Sequence, residues 1–372
     1  MWMNELKNDE NMNTSEKRTN KLGRIQNANE SPFRFVPQTV LRLESALESE
    51  KNEKGKKNTY RRQEVDLVEA LTKGPNGGGI GPFEIMIVSW VERLRYVTSS
   101  MLLDLIHGGY ISKGWREKIT KDKMRTAINR LARYNLVEMT RFVSVDENGV
   151  PLSSSKSAGR VYTLGSLGST MLREMGKATS HYHAFDIYQD GNAVKRYLAA
   201  NQWLIYWLIN FPEQVGENYR TNGVVYQYGS DLQGARFYAT VTCNECTMIA
   251  EPVRRVEEFE DKANKGWQRG KLNRLLELFN NTDKLYSGQE EIMFPDRPVI
   301  VYVCEDDDHI REVWKMISDI AAANPQQEIW LTSDQRIFNY NMIGQRFVKM
   351  ENYTFKAIDL EERVGGEEVL KE

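Results

Sequence analysis

The stretch Lys121–Val145 changes its hydrophobic period halfway along, and that change constrains the fold more than any other feature of the chain. At about 100° per residue, Met124, Ala127, Ile128, Leu131 and Tyr134 gather on one side of a helix. Lys121, Asp122, Arg125, Thr126, Asn129, Arg130 and Arg133 cover the other side. Leu136–Val145 then alternates as a half-buried strand does. Thr120 is a natural N-cap for the helix. A helix with one burying flank and one cationic flank therefore runs directly into a strand.

The neighbouring segments supply the rest of a small unit. Glu84–Arg95 carries Ile87, Val88, Val91 and Leu94 at helical spacing, and Thr98 with Ser99 and Ser100 caps a second helix ending near His107-Gly108-Gly109. Val161–Leu164 reads as the return strand, Asp146–Arg160 as a long polar tip, and Ser166 caps a further helix to about Met175. Three helices followed by a hairpin is the winged helix-turn-helix order, in which the third helix enters the major groove and the wing rests on the backbone. Groove entry needs cations for phosphates and short forked polar groups for base edges. Lys121, Lys123, Arg125, Arg130 and Arg133 beside Thr126 and Asn129 answer that need, with Arg141, Lys156 and Arg160 on the wing. Duplex DNA is thus the expected partner of these ten residues. The competing reading is a solvated helix face in a protein–protein module.

Composition bounds the remainder. The chain has 372 residues with 50 Lys+Arg against 52 Asp+Glu, a net charge of −2. Residues 83–176 nevertheless carry 14 basic and 9 acidic side chains, while residues 177–372 carry 22 and 31. A basic segment joined to an acidic one conceals a local polyanion-binding surface. At roughly 150 residues per domain, two domains are expected. The sequence has no run of about eighteen uncharged apolar residues, and its first residues lack the apolar core of a secretory signal, which predicts a cytoplasmic protein without membrane contact. Three cysteines make no paired framework, so Cys243, Cys246 and Cys304 are expected as thiols.

The expected organisation is a disordered or partly helical polar tail at 1–60, with a polar helix carrying Val40, Leu41, Leu43 and Leu47. A short helix with Val65, Val68 and Leu71 on one face, then a Gly-rich linker, fills 61–82. The winged helix spans 83–176, aromatic connecting helices 177–211, a mixed α/β domain 212–360 and an acidic tail 361–372. The fold class is α+β or α/β. The Gly74–Pro82 run is no phosphate cradle: it lacks a Gly-Lys-Ser/Thr ending, and Pro82 removes a backbone donor. The aromatic stripe of 177–211 (Tyr197, Trp203, Tyr206, Trp207) reads as core or as the surface of a homodimer.

Thr98–Leu105, Lys123–Val137 and Arg160–Gly168 resemble the winged-helix portion of the replication-relaxation family, found on plasmids and other mobile elements of Gram-positive bacteria. In that family the second wing strand runs into a tyrosine, threonine or leucine and then spaced glycines, as Tyr162, Leu164, Gly165 and Gly168 do here. The resemblance covers roughly residues 83–350 in order of elements. It implies a sequence-specific DNA-binding protein acting in replication, relaxation or maintenance of its element, with other replication or transfer proteins as further partners. A transcriptional repressor remains the alternative.

In the second half, three strand-like runs (Gly223–Tyr228, Ala235–Val241, Thr247–Val253), a helix over Val256–Phe279 and strand Pro298–Val303 follow the order of a restriction-endonuclease-like core. That chemistry needs an acid on one strand, then an acid and a lysine two positions apart on the next. Asp231 and Glu251 are present, but Val253 occupies the lysine position and Arg254 is out of register. A degenerate core is expected, and a metal-dependent nuclease is the less favoured alternative. Cys243 and Cys246 suit either a zinc site, with Cys304 and His309 as the only further ligands, or two strand ends around a two-residue turn. No catalytic residue, metal ligand or cofactor is assigned.

Overall fold

In a computed structural model, the chain is a mixed α and β protein built on a seven-stranded sheet. The structure describes residues 66–72, 79–108, 110–111, 118–144, 160–177, 186, 191–225, 234–244, 246–255, 262–281, 297–338 and 344–365, with five short strands outside them. Two of these strands, β1 (Arg18–Thr19) and β2 (Ile25–Gln26), pair antiparallel.

The third short strand corrects an expectation. Leu41–Ser45 is a strand, β3, where a polar helix was predicted. It pairs antiparallel with β4 (Val137–Ser144), placing Leu43 opposite Phe142 and Ser45 opposite Thr140. Leu41 and Leu43 satisfy a period of two as well as a helical one. An open strand edge offering unpaired backbone groups decides between the two. β5 (Arg160–Leu164) completes the sheet in the order β3-β4-β5.

The helices start where their caps dictate. α1 (Leu67–Thr72) docks Ala70 at 1% exposure with Leu67 and Leu71 packed beside it; of the expected face Val68 is 70% exposed, and Val65 lies outside the described residues. α2 (Pro82–Leu94) opens with Pro82, whose missing N–H costs nothing in the first turn, while the Gly81 N–H donates to Glu84 Oε2 at 3.2 Å. α3 (Ser99–His107) is capped by Thr98, whose hydroxyl accepts from the Met101 N–H at 3.3 Å. α4 (Lys121–Arg133) is capped in the same way by Thr120 from Lys123. It buries Met124, Ala127, Ile128, Leu131 and Ala132. Each larger apolar side chain so buried contributes about 1.5–3 kcal/mol. Between α2 and α3, Val97 exchanges backbone hydrogen bonds of 3.1 and 2.8 Å with Tyr162 of β5.

α5 (Ser166–Glu174) has Gly165 as its N-cap rather than Ser166. A Cβ on Gly165 would lie 2.1 Å from the Asn135 carbonyl oxygen, and one on Gly168 2.1 Å from that of Leu136. The two glycines therefore let α5 press onto the junction where α4 turns into β4. Any side chain there would force the helix away.

α6 (Gly191–Asn210) is one helix buried on every side, with Tyr197, Trp203, Tyr206 and Trp207 at most 5% exposed. Its aromatics belong to a single core shared by α2, α3, α4 and one face of the large sheet. The described aromatics of the stripe are therefore core, the first of its two expected readings. Asn201 ties α6 to α2 by donating to the carbonyls of Leu94 at 2.8 Å and Tyr96 at 2.7 Å.

After the short α7 (Pro212–Val215), the chain forms an antiparallel meander of β6 (Tyr219–Val225), β7 (Ala235–Cys243) and β8 (Cys246–Pro252). α8 (Lys262–Asn281), a small ladder of β9 (Leu285–Ser287) and β10 (Glu290–Ile292), and then β11 (Val299–Cys304) follow. β11 lies parallel to β8. α9 (Asp307–Ala323) returns the chain to β12 (Ile329–Ser333), parallel to β11. α10 (Asp334–Phe338) precedes β13 (Val348–Glu351) and β14 (Thr354–Ala357), which close the order β14-β13-β12-β11-β8-β7-β6. α6 covers one face and α8 with α9 the other. The single last strand expected near 347–358 is thus a hairpin, turning through Asn352 and Tyr353 at φ 48° and 64°. The expected acidic tail begins as a helix, α11 (Leu360–Val364), capped by Asp359. No helix among the described residues is long and apolar enough to cross a membrane.

Candidate nucleic-acid interface

The cationic flank of α4 divides into an outer and an inner half. Lys121, Lys123, Arg125 and Thr126 are exposed, whereas Asn129, Arg130 and Arg133 are half-buried. Arg125 forms an ion pair with Asp122 one turn away at 3.0 Å, with both side chains largely in solvent, where such a pair contributes little. Lys123 Nζ donates to the Lys118 carbonyl at 2.7 Å, fixing the approach to the helix. Arg130 points inward and pairs with Glu84 of α2. On the neighbouring strands, Arg141 stands at a register position between Glu44 of β3 and Arg160 of β5. Arg160 is half-buried. Lys156 and the rest of the tip, 145–159, lie outside the described residues.

A second polar group sits inside the large sheet. Glu251 of β8 is 2% exposed and accepts a hydrogen bond from Lys271 of α8, itself 3% exposed. Its strand partner on β11 is Tyr302. Lys271 Nζ also lies 4.8 Å from the centre of the Tyr238 ring. Burial outweighs the pair's mutual attraction, holding the Glu251 carboxyl above and the Lys271 ammonium below their ordinary ranges. Both shifts favour the less charged form of the pair. Glu251 Oε1 and Gln268 Oε1, one turn before Lys271 on α8, are buried with no hydrogen-bond partner among the described residues.

Lys271 is the residue that sequence spacing missed. Two positions after Glu251, where a nuclease core carries its lysine, Val253 is apolar and buried. Arg254 does not substitute for it, because its guanidinium forms a bidentate pair with Asp334 at 2.9 and 3.1 Å. The available signal lay in α8, where Gln268 and Lys271 fall on the same face as Leu272 and Leu275. A cation on a burying face requires a buried acid. Asp231 lies outside the described residues.

The end of α2 lies next along the contacts that lead away from the buried pair. Arg95 has φ 62° and ψ −49°, a backbone region that costs a non-glycine residue about 1–3 kcal/mol and persists only when its surroundings hold it. Here Arg95 Nη2 donates to Asp186 at 2.8 Å, Nε donates to the same carboxylate, and Nη1 donates to Tyr197 Oη at 2.8 Å. The Tyr96 hydroxyl donates to the Asp186 carbonyl at 3.1 Å. The rings of Tyr197 and Tyr238 meet edge to face at 4.9 Å.

The remaining candidates are structural. Asp306 caps α9, accepting from the His309 N–H at 2.9 Å, and holds Arg255 at 2.5 Å. Despite burial, those partners keep its carboxyl below the usual range. Asp307 pairs with Arg336 at 2.7 Å. Cys243 and Cys246 face each other across the β7–β8 turn, which passes through Asn244 at φ 53°. Cys304 belongs to the core on the opposite face of the sheet, so it cannot join them around zinc. Burial pushes the Cys243 thiol up to about 12. Among the described residues no group of three or more His, Cys, Asp or Glu is placed to hold a metal ion.

No family model and no curated protein matches the chain. Among solved structures it is similar to the crystal structure of protein VC1899 from Vibrio cholerae, at 12% identity and a TM-score of 0.28. The match covers 77% of this chain and 62% of that one. A likeness at that level defines neither a family nor a role.

Proposed function

We propose that the chain is a sequence-specific duplex DNA-binding protein whose N-terminal unit is a winged helix. Its likeness to the replication-relaxation family favours a role in replication, relaxation or maintenance of a plasmid or mobile element. The observation that carries the reading is the exposed flank of Lys121, Lys123, Arg125 and Thr126 on α4, beside strands β4 and β5. In this reading α4 enters the major groove, Arg125 and Thr126 address base edges, and Lys121 and Lys123 meet phosphates. The Val97–Tyr162 bridge supplies the small first strand that such a fold pairs with its wing. Titrating a labelled duplex at several salt concentrations tests it. Lys121→Ala and Lys123→Ala should each lower the logarithmic salt slope by about one. Unchanged affinity and slope would remove the reading.

A specific contact favours a second reading, phosphodiester cleavage by the large sheet. The Lys271–Glu251 hydrogen bond supplies in space the acid and lysine that are not adjacent in sequence. The buried, unpartnered oxygens of Glu251 and Gln268 are of the hard type that magnesium or manganese takes. Such an ion would polarise a phosphoryl oxygen and activate water. With Glu251 2% and Lys271 3% exposed, the sheet and α8 would first have to part before Glu251 could hold the ion and Lys271 stabilise negative charge beside it. Metal-dependent nicking of supercoiled plasmid that Glu251→Ala abolishes is the expected result. Absence of nicking with either ion would sink this reading and leave the first intact.

A further inference from the structure

We propose that Arg95 is a latch through which the buried Glu251–Lys271 pair sets the DNA affinity of the α4 surface. The inference rests on the DNA-binding reading and concerns its regulation. It starts from an unbroken series of contacts. Lys271 pairs with Glu251 and lies against the Tyr238 ring. Tyr238 packs edge to face on Tyr197, and the Tyr197 hydroxyl accepts from Arg95 at 2.8 Å and from Arg236 at 3.4 Å. Arg95 then holds the turn that leads, two residues later, to the Val97 bridge with wing strand β5, and at Thr98 to the cap of α3.

The backbone of Arg95 makes this a two-position device rather than a chain of neighbours. Its φ of 62° is unfavourable for an arginine and is held in place by the side-chain contacts to Asp186 and Tyr197. Remove one holder, and the turn gains a reason to relax into an ordinary conformation. Relaxation moves Val97 relative to Tyr162, so the second wing strand and the start of α3 shift with it. Whatever draws Lys271 or Glu251 out of their pair acts on the first contact of the series. Coupling requires one element whose equilibrium both sites bias, and the strained turn at Arg95 stands between the two sites.

The test is a double-mutant cycle on the full chain, read as affinity for a labelled mixed-sequence duplex at fixed salt. Glu251→Gln/Lys271→Met removes the charge pair without leaving a lone buried charge. Tyr197→Phe removes only the hydroxyl that holds Arg95, and Arg95→Met removes the guanidinium itself. The pair variant should weaken binding by about fivefold or more in the otherwise native chain, the lower end of ordinary coupling. In the Tyr197→Phe background it should weaken binding by less than about twofold. Melting curves select the variants that fold, and Tyr197→Phe carries the test if Arg95→Met does not. Equal losses in both backgrounds, or no loss in either, would overturn the latch while DNA binding stands. A native chain that fails to bind duplex would instead refute the DNA reading itself.

Discussion

Arg130, on the helix whose outer flank carries the exposed cations, is turned inward and pairs with Glu84 of α2. The side chains of both are more than two-thirds covered, so the pair stitches α2 to α4. The five-cation helix legible in the sequence is thereby divided into residues that hold the unit together and residues that face outward.

That division predicts opposite phenotypes within one helix. Arg130→Ala should lower unfolding stability by about 1–3 kcal/mol, since it leaves Glu84 without its charged partner. Its effect on the salt slope of DNA binding should be small. Arg125→Ala should do the reverse, blurring sequence preference at nearly unchanged stability. Urea melts beside binding isotherms separate the two; identical behaviour would mean that both side chains face the same environment.

The buried pair in the large sheet predicts a pH dependence. In Lys271→Met, Glu251 is left buried without its ammonium, a change of the kind that costs about 3–5 kcal/mol. Burial already holds the folded carboxyl above its ordinary value, so the native state binds more protons than the unfolded one. Stability must then fall as pH rises from below 4.5 through the raised value. Glu251→Gln/Lys271→Met should show no such slope. Denaturation at pH 5 and pH 8 measures the difference.

His309 works in the other direction. Burial, reinforced by Arg255 and Arg254, lowers its ring to about 3, and Nδ1 accepts the Glu305 N–H at 3.2 Å. The unfolded ring takes a proton near 6.5 and the folded one does not. Stability is therefore fully present above about 6.5 and declines as pH falls toward 3, by up to about 1.4 kcal/mol per unit. His309→Gln should flatten this part of the curve in calorimetric scans between pH 4 and 7.

The cysteines give a simple chemical check. Cys243, Cys246 and Cys304 are all buried and in no disulfide, and burial raises the thiols of Cys243 and Cys304. Thiol titration of the folded chain should be slow, and all three should react once denaturant is added. Rapid labelling of the native chain would contradict the hairpin placement of Cys243 and Cys246.

Caps are a local matter, which is why they were legible. Thr98 and Thr120 act through an N–H three residues away, and α2, α3, α4, β4 and β5 lie within a few residues of their expected bounds. The β7–β8 turn at Asn244 was one of two readings open for Cys243 and Cys246, and the register chose it. Leu41–Ser45 is a strand rather than the expected helix because its leucines fit both periods, and only the free edge of β4 distinguishes them. The single strand expected near 347–358 failed for a similar reason, since the left-handed turn at Asn352-Tyr353 carries no glycine to announce it.

Periodicity and capping, acting over a turn or two of chain, determined where α2, α3, α4, β4 and β5 form and which flank of α4 collects cations. Partnership across the fold was decided by tertiary structure alone: Glu84 with Arg130, Glu251 with Lys271, and Arg95 with Asp186 and Tyr197. The reason is physical. A charge enters the interior only where an opposite charge awaits it, and the position of that partner depends on how distant helices and strands pack, which no local spacing encodes.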